Sequence, residues 1–235
     1  MINFSDTSFY DKESKGYSEK RYNSTPKSFI QFCFQKRLKH VEKLVIKYKS
    51  KKEDQILIED GCADGVVAQR VSKYFSKTIG TDISEGMIQQ ARDINKNPSV
   101  LFFVKHEFPK DIKANLFLAI GFVSPGIFKE EFYFIQEHLE NGGIIIMSLV
   151  SSNSPYAKLK LKDREITKDY WTFKKYEEFL KKDFVILDSV LYGLFIPKLW
   201  TFPLIARIIQ PICEFILKIF PILFHEKLYV LKKRG

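Results

Sequence analysis

Cysteine is scarce in this chain. Cys33, Cys62 and Cys213 are far apart and odd in number, and no Cys-x-x-Cys pair occurs. That argues against a disulfide framework or a structural zinc site and for a reducing compartment. No stretch supplies ~20 apolar residues with few charges, so a simple transmembrane span is not expected. The residues from Met1 to Ser14 are polar and lack an apolar core followed by a small-residue cleavage site. No signal peptide is expected, and the location read from the sequence is cytoplasmic, with membrane association left open. There is no internal repeat and no low-complexity tract. Acid is short relative to base, 28 Asp and Glu against 38 Lys and Arg, for a net charge of +10. Much of the lysine falls on amphipathic segments and reads as solvated faces. The open alternative is attraction toward an anionic partner: a membrane surface, a nucleic acid or an acidic substrate.

What is present is a core. The chain has 235 residues and is 45% hydrophobic, enough for one large α/β domain or two small ones. Residues 1–25 are polar with scattered aromatics. From Pro26 to about Lys49 an apolar stripe of Phe29, Phe32, Cys33, Leu38, Val41, Leu44, Val45 and Tyr48 predicts a helix. Strands are then expected at Ile56–Ile58, Thr78–Ile83, Val100–Val104, Leu116–Ile120, Ile144–Val150, Phe184–Leu191 and Lys227–Leu231. Helices are expected at Val66–Phe75, from Ser84 to about Asn95, at Ile127–Leu139 and at Phe173–Leu180. Asn141-Gly142-Gly143 reads as the stop of the third of these. The strands are apolar throughout rather than at every second residue, which is the pattern of a parallel sheet covered on both faces.

One stretch needs explaining: Ile56-Leu57-Ile58-Glu59-Asp60-Gly61-Cys62-Ala63-Asp64-Gly65. A buried strand ends in two acids and a turn with two glycines. In an open parallel sheet, ligands bind beyond the carboxyl ends of the strands, and glycine in the first strand-to-helix turn lets the backbone approach a cofactor. The spacing fits neither the G-x-G-x-x-G dinucleotide fingerprint nor a GxxxxGK[ST] phosphate loop. G-x-A-x-G suits a nucleotide-type cofactor without a pyrophosphate. Asp82 closes the next strand, 17 residues after Gly65. A carboxylate there can accept from both ribose hydroxyls, as in dinucleotide folds, or can simply cap the following helix.

Together, "ILIEDGCADGVVAQR", "TIGTDISEGMIQQAR" and "HLENGGIIIMSLV" resemble the successive motifs of the class I S-adenosylmethionine-dependent methyltransferases, over about residues 50–190. The resemblance implies a Rossmann-like three-layer α/β sandwich, with a seven-stranded, mostly parallel sheet whose last strand is antiparallel. It implies one domain: a helical cap at 1–50, a cofactor-binding core at 51–195, an apolar helical insertion at 196–225, and a final strand with a basic tail at 226–235. It implies S-adenosyl-L-methionine as cofactor. Glu59 would lie near the methionine amino group, while Gly61, Cys62, Ala63 and Gly65 would line the methionine and ribose. Asp82 would hold the ribose hydroxyls, and Ile83 and Met87 would flank the adenine. His106 and Glu107 would sit at the adenine edge, and Gly121 beside the sulfonium. Tyr17, Arg21 and Tyr22 of the cap would reach over the cofactor. Three features depart from the family pattern. Ala63 replaces the middle glycine, and Phe117 stands where many relatives have an aspartate. Phe108–Asn115 is too short for a full helix.

Methyl transfer from a sulfonium needs alignment, exclusion of water and, for some acceptors, proton removal, so no obligatory catalytic motif is expected. The Asn/Asp-Pro-Pro-aromatic motif of amino-group nucleic-acid methylases is absent, since Gly121-Phe122-Val123-Ser124-Pro125 follows the fourth strand. No Pro-Cys nucleophile and no magnesium-binding cluster is seen. His40 and His138 read as surface residues, and His106 is the histidine expected near the pocket. The acceptor read from this pattern is a small or lipid-linked molecule, with oxygen as acceptor atom. The alternatives are a cofactor-free or regulatory binding protein on the same scaffold, or an RNA methyltransferase.

Leu199 to Phe224 is very apolar and is broken by Pro203, Pro211 and Pro221. Arg207, Gln210, Glu214 and Lys218 recur at spacings of three and four and form one narrow polar stripe. Three roles stay open for it: a roof over the substrate site, a helix lying in a membrane interface, or a dimer contact.

Overall fold

The computed structural model describes residues 8–51, 54–122, 125–160 and 170–234. Two short helices lead in, α1 (Ser8–Glu13) and α2 (Tyr17–Arg21), followed by the long α3 (Phe29–Tyr48). Ser28 caps α3, its side chain accepting from the Gln31 N–H. Then come β1 (Ile56–Asp60), α4 (Val66–Val71), β2 (Lys77–Asp82), α5 (Glu85–Ile94), β3 (Val100–Val104), β4 (Ala114–Phe122), α6 (Pro125–His138) and β5 (Leu139–Val150). The chain closes through α7 (Pro155–Lys160), α8 (Phe173–Leu180), β6 (Phe184–Leu194), α9 (Pro203–Ile216) and β7 (Phe224–Lys233).

The seven strands form one sheet in the order β3-β2-β1-β4-β5-β7-β6. β1 pairs in parallel with β2 and β4, β2 with β3, and β4 with β5. β7 runs antiparallel to both β5 and β6. The expected sheet, with its last strand reversed, is therefore what forms. Strand order reverses at β1, so the chain leaves β1 and β4 toward opposite sides and opens a crevice beyond their carboxyl ends.

Alternation along each strand feeds two cores. Leu57, Leu116, Leu118 and Ile146 meet Val41, Leu44 and Val45 of α3 on one face. Ile58, Phe117, Ile145 and Tyr229 meet Phe132, Ile135, Tyr176 and Leu180 on the other.

Several expectations change. Asn141-Gly142-Gly143 does not end a helix followed by a loop; it lies inside β5, which starts at Leu139. The register slips there, from Ala114 opposite Leu139 to Leu116 opposite Ile144, so the glycines form an irregular lead-in. The expected helix at 66–75 is α4 alone, tightening into a 3-10 turn over Ser72–Tyr74. His138 is not a surface residue. It is buried, its Nδ1 lies 2.8 Å from the Ile112 carbonyl, and its ring packs on Phe108 and Phe134. His40 is half-buried against Tyr192 rather than solvated. Between β3 and β4 there is only a 3-10 turn at Lys105–Glu107, as the short connection required.

Candidate functional site

The turn after β1 takes its shape from two glycines. Gly61 and Gly65 have φ of 69° and 79°, in the left-handed region. A Cβ on Gly65 would stand 2.5 Å from the Phe102 ring, so that position is packed against the sheet. A Cβ on Gly61 would meet nothing within 4 Å, so that backbone faces open space. Ala63, with φ of 49°, keeps the left-handed geometry despite its methyl group.

The turn and the end of β2 meet. The Ala63 N–H donates to Asp82 Oδ2 at 2.8 Å, and the Ser84 N–H donates to Oδ1 at 3.0 Å. The Cys62 N–H donates to the Thr81 carbonyl at 2.9 Å. Burial pushes the Asp82 carboxyl up to about 6, against the pull of its two N–H donors.

Four carboxylates crowd this end of the sheet, and two are answered. Asp60 accepts from Lys105 Nζ at 2.8 Å and from Thr81 Oγ1 at 2.7 Å. Asp64 accepts from the Ser18 N–H at 2.9 Å and from the Ser18 hydroxyl. Glu59 and Asp82 have no ion pair among the described residues. Glu59 is buried, its Oε2 has no hydrogen-bond partner there, and burial holds its carboxyl well above the usual range, with Asp82, Asp64 and Asp60 adding to the effect.

α1 and α2 cover this end of the sheet. Asp11 Oδ1 accepts from the Ser84 hydroxyl at 2.5 Å and from the Gly86 N–H at 3.1 Å, so α1 caps the start of α5. Tyr10 and Tyr17 both carry phenols raised by burial and by the nearby Asp82 carboxylate. Tyr22 lies deeper, edge-on to Phe34, and also feels Glu59. Arg21 is engaged elsewhere, stacked 3.8 Å over Tyr17 and bonded to Glu13 at 3.0 Å.

The other expected residues scatter around this centre. Ile83 is exposed at the end of β2, while Met87 is buried beneath α5. The Cys62 thiol is buried among Ala68, Ile88 and Phe102, so only its backbone is placed to line a ligand. His106 and Glu107 are exposed on the turn after β3. Glu107 helps line a cavity of about 410 Å³ with Gly86, Gln89 and Val104. Phe117 lies mid-strand in the core, 6.1 Å from Phe134, so its bulk stays out of the crevice. Val123 and Ser124 lie outside the described residues.

At the end of β4, the Gly121 N–H donates to Ser148 Oγ at 2.7 Å. Arg37 comes close to Gly121, its Nη1 3.6 Å from where a Cβ would be. This arginine sits in the apolar stripe of α3 and pairs with Glu226 of β7 at 2.9 Å. Arg37 holds the Glu226 carboxyl below its usual range despite burial. Beside it, His225 Nδ1 lies 3.0 Å from Ser154 Oγ, within a ring cluster of Phe29, Tyr156 and Phe195. Burial brings the His225 imidazole down to about 4, so it is neutral at ordinary pH. Tyr10, Asp11, Arg37 and His225 were not singled out from the sequence. The one available signal was Arg37, a cation at a core position of an otherwise apolar stripe. Among the described residues, no group of three or more His, Cys, Asp or Glu could hold a metal ion.

No family model matches this chain, and no curated protein does. Solved structures match over nearly all of it. The N-methyltransferase NodS from Bradyrhizobium japonicum WM9, in complex with S-adenosyl-L-homocysteine, aligns over 97% of this chain and 98% of its own with a TM-score of 0.66 and 9% identity. Magnesium protoporphyrin IX methyltransferase (ChlM) from Synechocystis PCC 6803, with bound S-adenosylhomocysteine, aligns over 97% and 100% with a TM-score of 0.65 and 11% identity. The [4+2]-cyclase SpnF aligns over 97% and 94% with a TM-score of 0.65 and 15% identity. The chain therefore has the Rossmann-like fold of the class I methyltransferases. At these identities the likeness concerns the fold, which also carries a cyclase.

Proposed function

We propose that the protein is an S-adenosylmethionine-dependent methyltransferase acting on a small or lipid-linked acceptor. The observation that carries this reading is the pair Glu59 and Asp82. Both are buried acids with no ion pair among the described residues, Glu59 at the end of β1 and Asp82 at the end of β2, where the Ala63 N–H of the glycine turn bonds Asp82. Buried charge needs a partner. A ligand with an ammonium at one end and a ribose diol at the other supplies both.

In this reading Glu59 receives the ammonium group and Asp82 the ribose hydroxyls. The open backbone of Gly61 and its neighbours Cys62, Ala63 and Gly65 lies along the ligand between them. Ile83, Met87, His106 and Glu107 border the base, and Gly121 stands beside the sulfur. Tyr17, with Tyr10, closes the top and excludes water. Arg21 contributes through its stack on Tyr17 rather than by direct contact. The cofactor supplies a methyl group already activated on a sulfonium, so the protein's task is alignment and desolvation. Oxygen is the acceptor atom we expect.

Titration calorimetry with S-adenosylmethionine tests the reading. Saturable binding, weakened tenfold or more by Asp82→Ala, is expected. No measurable heat at millimolar cofactor removes the proposal and leaves a binding protein on this scaffold.

A further inference from the structure

The helix α9 is built inside out. Its polar stripe faces the protein and its apolar face is turned to solvent. Gln210 and Glu214, one turn apart, are buried. Glu214 Oε1 accepts from the N–H groups of Gly193 at 2.9 Å and Leu194 at 3.1 Å, where β6 ends. Its other carboxylate oxygen lies 3.7 Å from Lys36 Nζ on α3. Gln210 donates to the Leu194 carbonyl and accepts from the Trp200 indole at 3.4 Å. These bonds fix the rotation of the helix, because turning it would strip the buried strand-end amides of their acceptor.

An ordinary amphipathic surface helix buries the opposite stripe. Here Phe202, Leu204, Ile208, Phe215, Ile219 and Phe220 are 50 to 82% exposed. Monomeric soluble proteins rarely leave so large an apolar face uncovered. The sole acid between Leu199 and Leu223 is Glu214, which is buried, so this outer surface has no negative charge. At its edge Lys36 and Lys43 of α3 and Lys218 lie close enough to His40 to help burial hold its pKa at about 4. β6 runs in the same direction as β5, since both oppose β7. The end that α9 covers is therefore the end that carries the glycine turn.

We propose that α9 and the turns after it dock on an anionic lipid bilayer, lying in the interface without crossing it. At 14 residues α9 is about 21 Å long. No helix among the described residues is long and apolar enough to cross a membrane. A bilayer satisfies both parts of the surface at once. The apolar face enters the acyl boundary, and the lysines meet anionic headgroups. A second copy of this chain presenting the same face would cover the apolar residues but bring no carboxylate to the lysines. Resting on the methyl-transfer reading, this placement turns the site toward acceptors held in the bilayer. The docking itself needs no cofactor.

Flotation of the full chain through a density gradient tests this independently of methyl transfer. The probes are vesicles of phosphatidylcholine alone or mixed with phosphatidylglycerol. The chain should float with the mixed vesicles, less with phosphatidylcholine alone, and less again in high salt. Phe215→Glu combined with Ile219→Glu should reduce flotation tenfold or more with an unchanged melting temperature, because both side chains are already in water. Lys43→Glu combined with Lys218→Glu should remove only the preference for the anionic lipid. A chain that stays in the dense fraction with both vesicles overturns the proposal. So does a dimer in sedimentation that Phe215→Glu dissociates while neither vesicle is bound.

Discussion

Asp82 carries opposite consequences for stability and for binding. Its folded pKa of about 6 lies above its ordinary 3.8, so the folded state holds the proton more tightly than the unfolded one. Its contribution to stability is fully present below about pH 4 and is lost as pH rises through about 6, a cost of about 3 kcal/mol at neutral pH. In the proposed reading, ribose hydroxyls donate to the ionised form, so a bound cofactor would return part of that cost. Cofactor affinity should therefore be flat above about pH 7 and fall by up to tenfold per unit below about pH 6, as calorimetry across pH would show. The two glycines separate folding from binding. Gly61→Ala places a methyl in open space at φ 69°, costing about 1 kcal/mol, or a few degrees of melting temperature. It should nevertheless weaken the cofactor at least tenfold. Gly65→Ala drives a methyl into Phe102 and should cost ~3 kcal/mol in denaturant titrations, from overpacking together with backbone strain. Comparable losses of stability at the two positions would show that both serve the fold alone.

Among the elements, local chemistry was legible and long-range partnership was not. Ser28, Ser84 and Thr172 each bond the N–H three residues on, at the starts of α3, α5 and α8; Ser84 and Thr172 read as caps in the sequence, whereas the α3 stripe reads from Pro26 and its true start at Ser28 does not stand out. The polar stripe of α9 was equally visible, yet its direction was not. Periodicity finds two faces, and only the amides left at the end of β6 decide which turns inward. His138 looked solvated because its partner, the Ile112 carbonyl, is 26 residues away. Arg37 on α3 makes the same point with an energy attached. Its partner Glu226 is 189 residues distant and almost fully buried. Arg37→Met should cost about 3–5 kcal/mol in urea titration, since it leaves a buried carboxylate without its cation. Adding Glu226→Gln should recover a large part of that loss. A double variant no more stable than the single one would mean that the arginine acts through packing alone.

At the scale of the molecule, alternation of apolar strands with helices was enough to read a parallel sheet, and the spacing from Gly61 to Asp82 was enough to read its switch point. The way α1 and α2 close over that point was not readable, because polar residues with scattered aromatics carry no periodicity. Polar contacts help attach them, among them Asp11 to Ser84 and Gly86, across 73 and 75 residues, Ser18 to Asp64, across 46, and Gln31 Nε2 to the Lys20 carbonyl. Tyr17 is only partly buried, and no residue of α2 is fully buried. A segment fixed mainly by exchangeable hydrogen bonds opens at low cost compared with the cores on either face of the sheet. The cap is thus suited to admit a ligand and close over it, with Tyr10 and Tyr17 beside Asp82. Asp11→Ala combined with Ser18→Ala should leave the melting temperature of the free protein within a few degrees. In stopped-flow measurements the cofactor should leave about tenfold faster, each lost bond being worth roughly 0.5–1.5 kcal/mol. Amide exchange should quicken in residues 8–21 and leave β1 and β4 unchanged. An unaltered dissociation rate would mean that the cap decorates the site without closing it.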